Sequence, residues 1–305
     1  MGTECVILGA GVTGLAAGYV SKHPIYEASE VPGGVCSSYY MRPGDSKRLF
    51  SAPEDGEAYR FEIGGGHWIF GGDPLVLCFI RSLVPVKSYV RRSAVFLSEK
   101  DVFVPYPIQN HLRYLGSELA AQALHEMVEA SKANQPINTM ADWLKACFGP
   151  TLCDLFFYPF HELYTAGLYK HIAPQDIYKS PVNLKLAIQG AFAEVPLIGY
   201  NVTFVYPEEG LNALAQRMAA RCDIHYGKRV VRIDVKEKVI YFDDGSVVGY
   251  EILLSTLPLN KMIEMAGLVI DERPDPATSV LVAVSYTHLR AHETSLQLVC
   301  RLLLE

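Results

Sequence analysis

The chain opens with an apolar strand that runs directly into a glycine-spaced turn: Val6-Ile7-Leu8, then Gly9-Ala10-Gly11-Val12-Thr13-Gly14, the pattern G-x-G-x-x-G. Gly9 permits the tight turn from strand to helix. Gly11 lets the backbone approach a pyrophosphate, and Gly14 lets the new helix pack closely while its N-terminus faces the anion. Glu27 closes the next apolar run, 18 positions after Gly9, near the ~20-residue offset at which an acid meets a ribose. Its charge disfavours a 2′-phosphate and so argues against NADP. With Gly33-Gly34 following, the combination reads as an FAD-binding start, and it predicts a strand, helix, strand unit over Cys5–Leu8, Gly14–Val20 and Ile25–Glu27.

The other end reads differently. Val284-Ser285-Tyr286-Thr287-His288-Leu289-Arg290-Ala291-His292-Glu293-Thr294 looks like one reading frame of a sequencing adapter, and 298–305 looks like its continuation. Residues 284–305 are therefore expected to be a non-native tail, outside the fold, with native sequence ending near Ala283.

With 305 residues, half of them hydrophobic and a fifth charged, the chain has material for about two domains. A net charge of −6 offers no basic footprint, so nucleic acid is not an expected partner. The seven cysteines (5, 36, 78, 147, 153, 222 and 300) are scattered without a C-x-x-C pair, which suits reduced thiols in the cytoplasm and no metal site. No apolar run approaches membrane-spanning length.

Along the chain, Met41–Tyr59 reads as loop, and Phe61–Ile69 as a short strand broken by Gly64-Gly65-Gly66 before His67 and Trp68. From about 76 to 201 the pattern turns mainly helical, with helices expected at 116–134 and 140–148. This stretch carries Pro105-Tyr106-Pro107-Ile108-Gln109-Asn110-His111 and an aromatic run at 155–164. Such aromatics serve either as core or as the wall of a substrate site. From 202 to 283 a helix at Leu211–Met218, a hairpin about Asp244-Gly245 and a strand at 250–255 restore the α/β pattern. The expected class is α/β: a Rossmann-like FAD-binding domain (1–75 and 202–283, the second part incomplete) interrupted by a mainly helical substrate domain (76–201).

These segments, in this order, together with Val205-Tyr206-Pro207-Glu208-Glu209-Gly210-Leu211 and Ser255-Thr256-Leu257-Pro258, resemble the flavin amine oxidase superfamily, which also holds protoporphyrinogen oxidases, carotenoid desaturases and UDP-galactopyranose mutases. The resemblance runs over nearly all of residues 4–283. The 105–110 and 156–160 segments look most like the mutase and protoporphyrinogen oxidase-like branch. The resemblance implies FAD as cofactor, with Gly9, Ala10, Gly11, Thr13 and Gly14 around the pyrophosphate and Glu27 and Ala28 at the adenosine ribose. It also implies Gly33, Gly34 and Val35 along the diphosphate, Gly65, Gly66 and His67 near the isoalloxazine, and the backbone of Val231 at the adenine. His67 is the candidate catalytic residue. Amine oxidases often carry Arg where this chain has Val35, a departure from the monoamine oxidase pattern. The family's closing strand and helix would follow Ala283, and a chain lacking them would be inactive.

The implied functions are an FAD-dependent oxidoreductase moving hydride from an organic substrate to flavin, a mutase-like isomerase acting on a sugar nucleotide, or a non-catalytic fragment that holds FAD. Arg91, Arg92 and Arg113 are the candidates for a substrate diphosphate, and solvated charges are the alternative reading. The expected partner is a small-molecule substrate, and the oligomeric state is left open.

Overall fold

A computed structural model describes residues 3–64, 67–70, 73–132, 136–175, 182–196 and 202–271. The expected tail at 284–305 and the residues Gly65 and Gly66 lie outside that set. In chain order the first elements are β1 (Thr3–Leu8), α1 (Val12–Ser21), β2 (Ile25–Tyr26), β3 (Ser38–Met41), β4 (Tyr59–Glu62), α2 (Pro74–Leu83), β5 (Val86–Val90), β6 (Ala94–Leu97) and β7 (Val102–Pro105). Next come α3 (Ser117–Lys132), α4 (Met140–Leu152), α5 (Tyr158–Thr165) and α6 (Leu184–Phe192). The last are β8 (Thr203–Pro207), α7 (Leu211–Ala219), β9 (Ile224–His225), β10 (Val230–Asp234), β11 (Val239–Phe242), β12 (Val247–Ser255) and α8 (Leu259–Met265). They divide into two compact units, one drawn from Met1–Tyr89 and Phe204–Asp275, the other from Val90–Thr203.

The first unit is an α/β Rossmann-like fold. Its sheet has the order β10-β11-β12-β1-β2-β9, parallel from β12 through β9 and antiparallel across the β10-β11-β12 meander. β1 is central and apolar on both faces, as a strand covered on both sides must be. Ile7 joins Leu15, Ile25, Leu214 and Met218 in one core layer, whereas Val6 and Leu8 join Ile233, Ile240, Phe242 and Tyr250 in the other. β12 ends level with β1, Ser255 pairing with Leu8, so both strands deliver their C-terminal ends to one edge of the sheet. In open α/β sheets that edge is where ligands bind.

Several local expectations shift. β3 pairs with β4 through Ser38–Glu62 and Met41–Tyr59, and Tyr40 bridges Leu49, so the 41–59 segment is a closed excursion from a hairpin. β4 stops at Glu62, before the glycines that cannot fix an extended backbone, and Ile69 instead makes an isolated bridge to Val205.

In the second unit α3 packs against α4 around Ala123, Met127, Leu144, Phe148 and Leu152, all buried. Thr139 caps α4 with a reciprocal Asp142 contact, the capping-box device. α4 runs past the expected stop at Phe148, but only across a kink at Gly149, whose φ of 75° is non-helical. Glu126 of α3 bridges the break by accepting the Thr151 N–H at 2.7 Å and its hydroxyl at 2.8 Å. A π-helical turn, Cys153–Phe157, leads into α5. The unit is less purely helical than expected, because β6 and β7 form a hairpin in it.

Candidate functional site: a glycine-lined cradle

The turn after β1 is built from backbone on all sides. Gly9 has φ of 94°, a value that only glycine adopts freely. A Cβ on Gly14 would overlap the Gly9 carbonyl oxygen, so glycine there is what lets α1 start hard against the turn. Gly11 differs: a Cβ would meet nothing within 4 Å, and its Cα faces open space. The second glycine pair closes over it. Gly33 N–H donates to the Ala10 carbonyl at 2.8 Å, and a Cβ on Gly34 would sit 3.2 Å from the Gly11 Cα.

Gly11 is the N-cap of α1 and supplies no side-chain cap, and no acidic residue occupies the first turn. The first-turn N–H groups and the positive end of the helix dipole are thus left to an external acceptor, the usual anion-binding arrangement. Thr13 is exposed on that same first turn.

Glu27 stands beside this cradle. Its Oε2 accepts the Ala10 N–H at 2.6 Å, and its Oε1 accepts the N–H and hydroxyl of Ser29 at 2.8 and 2.7 Å. A carboxylate has about four lone-pair positions; three are used, which leaves Oε2 able to accept a further hydroxyl. Ser29 went unnoticed in the sequence, although a serine two residues after an acid is an ordinary local-turn pattern. The chain at Gly227-Lys228 runs alongside, donating N–H groups to the carbonyls of Ser29 and Glu27 at 3.2 and 2.8 Å. Ala28 lies between these contacts, and β10 begins two residues after Lys228.

Within β10 the pairing jumps from Val230–Phe242 to Arg232–Tyr241. Val231 is therefore the extra residue of a β-bulge, left out of the pairing with β11, and it is about half exposed. A bulge re-aims a stretch of backbone away from the ladder, which is what a backbone contact to a base requires.

A second cluster lies beyond Gly34. Val35 is 60% exposed, and a Cβ on Gly64 would sit 2.6 Å from His67 Nε2 and 2.9 Å from the Val35 Cβ. The structure thus brings Val35, Gly64 and His67 together, with the His67 side chain exposed. Glu62, just before this loop, is clamped: Oε2 accepts the Ser38 hydroxyl at 2.6 Å, and Oε1 accepts the Tyr206 hydroxyl at 2.9 Å and lies 3.3 Å from Arg60 Nε. Burial, and then the Glu62 charge, push the Tyr206 pKa well above its ordinary value.

The sequence profile described as flavin containing amine oxidoreductase matches residues 15–289. The chain belongs to that family. Among solved structures, a reduced UDP-galactopyranose mutase shares 24% identity with a TM-score of 0.74, over 87% of this chain and 57% of the mutase. A putative protoporphyrinogen oxidase from Exiguobacterium sp. 255-15 shares 16% identity (TM-score 0.53, 86% of this chain, 61% of that one). An oxidoreductase from Methanosarcina mazei shares 17% (TM-score 0.52, 87% and 61%). The amine oxidoreductase chain described here thus spans about three fifths of the length of these structures.

FAD is the cofactor of this amine oxidoreductase fold, and the residues fit it. The open face of Gly11 and the uncapped α1 N-terminus suit a diphosphate. The spare acceptor position on Glu27 suits a ribose hydroxyl, and the Val231 bulge offers backbone to a base.

The aromatic run of the second unit divides between buried core and the lining of a cavity. Phe157 is buried, stacked on Phe148 at 4.2 Å. Phe156 and Phe160 stack at 5.5 Å and line a cavity of about 270 Å³ with Val95, Leu97, Leu155 and Leu163. Of the arginine candidates, Arg113 lies 3.8 Å from Glu194 and Arg91 packs over the Tyr106 ring at 5.8 Å. No helix among the described residues is long and apolar enough to cross a membrane.

Proposed function

We propose that this protein is an FAD-dependent oxidoreductase that takes hydride from a small or medium organic substrate, and that Gly9, Ala10, Gly11, Thr13, Gly14, Glu27, Ala28, Gly33, Gly34, Val35, Gly65, Gly66, His67 and Val231 form its cofactor site. The observation that carries this reading is the uncapped N-terminus of α1 opening at Gly11 beside a carboxylate with acceptor capacity to spare. FAD, when bound, supplies the hydride-accepting flavin.

The chain's own residues do the rest. The α1 N–H groups hold the diphosphate, Glu27 orients the ribose, and the Val231 backbone reads the base. His67, set beside Val35 and Gly64, shapes the environment of the flavin ring. Within the second unit, the 270 Å³ cavity walled by Phe156 and Phe160 suits an apolar or aromatic group. Six free cysteines among the described residues support a cytoplasmic location.

A second reading is a mutase-like isomerisation of a sugar nucleotide with no net redox change. It is favoured by the TM-score of 0.74 to the mutase, against 0.52 and 0.53 to the oxidoreductase and the protoporphyrinogen oxidase. One of its candidate diphosphate ligands, Arg113, is paired with Glu194.

The deciding experiment is an absorbance spectrum of the purified chain after incubation with FAD, followed by dye reduction with a panel of amines and other organic reductants. Flavin bands and substrate-dependent dye reduction support the oxidoreductase. Turnover of a sugar nucleotide only after chemical reduction of the flavin supports the isomerase. Bound flavin with neither turnover supports a non-catalytic FAD-binding chain, and absence of bound flavin overturns all three.

A further inference from the structure

The Leu8–Gly9 peptide unit, from which the glycine turn departs, is gripped at both ends. Its N–H, that of Gly9, donates to the Tyr26 carbonyl at 2.9 Å. Its carbonyl, that of Leu8, accepts two bonds from one residue far away in sequence: the Thr256 N–H at 2.9 Å and the Thr256 hydroxyl at 2.8 Å. The same hydroxyl oxygen lies 3.5 Å from the Gly9 carbonyl oxygen and would sit 2.5 Å from a Cβ on Gly9. Thr256 thus occupies the one side of the turn that Gly9 leaves vacant by having no side chain. Its position follows from the parallel pairing of Leu8 with Ser255, which brings the first residue after β12 level with the first residue after β1.

A peptide plane held from both neighbouring strands cannot rotate, and rotation of that plane is what would swing Gly9 out of its positive φ and redirect the N–H groups that follow. The geometry points to Thr256 as a positioning residue for the diphosphate cradle: its hydroxyl, acting through the Leu8 carbonyl, fixes the direction in which Gly11 and the first turn of α1 face their anion. This inference rests on the nucleotide reading of the cradle. It adds a residue 247 positions from Gly9, in a segment with no other assigned role.

The test compares Thr256→Val, Thr256→Ala and Thr256→Ser in the full chain, reading the Kd for FAD by flavin fluorescence and the Kd for ADP by competition, with melting of the ligand-free proteins alongside. Valine keeps the shape and removes the hydroxyl, alanine also removes it without a branched side chain should valine fail to fold, and serine keeps it. The expected result is a loss of about three- to tenfold in affinity for both ligands in the valine and alanine variants, the worth of one ordinary hydrogen bond. Serine should bind like the parent. Equal losses in all three variants, or parent-like binding in all three, would overturn the role of the hydroxyl while leaving the nucleotide site standing. If the parent itself binds neither FAD nor ADP, the nucleotide reading falls and this inference with it.

Discussion

The Glu27 carboxylate and the Ala10 N–H meet at 2.6 Å across 17 residues of chain. This bond ties the end of β2 to the glycine turn, so the acid that would hold a ribose is also part of the wall of the cradle.

Replacing Glu27 should therefore act twice. Glu27→Ala removes charge-assisted bonds to Ala10 and Ser29, each worth roughly 1.5–3 kcal/mol, and should lower both the melting temperature of the ligand-free chain and its affinity for FAD. Glu27→Gln keeps one of the two acceptor oxygens and should lose less of each. Unchanged FAD affinity in the alanine variant would contradict the ribose assignment.

The glycines should separate by what a methyl group meets. At Gly14 it collides with the Gly9 carbonyl, so Gly14→Ala should destabilise the chain before any ligand is added, by about 1–3 kcal/mol as for other overpacked sites. At Gly11 it meets nothing within 4 Å and the backbone, φ −66° and ψ 172°, accommodates alanine. Gly11→Ala should melt like the parent and yet bind FAD poorly. Melting curves with and without FAD would show the contrast, and equal FAD binding by Gly11→Ala and the parent would remove the diphosphate from this face.

Acid should weaken the second unit. Burial lowers the pKa of His111 and of His161, whose Nδ1 lies 2.7 Å from the Phe157 carbonyl oxygen. The unfolded chain, with its imidazoles near 6.5, binds more protons just below that pH than the folded chain does. Stability is then level above about pH 7 and falls as pH drops through the window beneath 6.5, until the folded imidazoles also protonate. Urea midpoints between pH 7.5 and 5 would register the fall, and a double His111→Gln, His161→Gln variant should flatten it. An undiminished slope in the double variant would assign the acid sensitivity elsewhere.

Thiol reactivity should report burial residue by residue. Desolvation pushes Cys147 up to about 11 and Cys153 to about 12, which leaves on the order of one thiolate in a thousand or fewer at pH 8. Cys78 is exposed. An aromatic disulfide reagent at pH 8 should modify Cys78 quickly, and peptide mapping should find Cys147 and Cys153 labelled only after denaturation. Rapid labelling of Cys153 in the folded chain would refute its buried placement.

The spacing of Gly9, Gly11, Gly14 and Glu27 made the βαβ start legible, because each glycine answers to a local steric demand that the sequence states outright. The expected helix end at Phe148 coincides with the kink at Gly149, but nothing local showed that Glu126, on another helix, carries the chain across it. The bulge at Val231 has no local signature, since a bulge is a mismatch between two strands and only their pairing reveals it. Thr256 was visible as part of a motif without a role, because its partner is the carbonyl of Leu8 and no local pattern links residues so far apart. The aromatic run at 155–164 could not be apportioned between core and cavity from composition, since a π-helical turn at Cys153–Phe157 alters the period by which faces are counted.

The parallel pairing of β1 with β12 sets an order of assembly. Residues 5–8 leave the ribosome well before residues 252–255, their hydrogen-bonded neighbours on one edge, which at about 5–20 residues per second arrive roughly ten seconds to a minute later. The described residues of the second unit all fall between 90 and 203 and can close on themselves in that interval. The cradle is thus completed only after the whole of 90–203 has been made, and until then the edge of β1 that β12 will cover waits for its partner and is exposed to capture by chaperones or by other nascent chains.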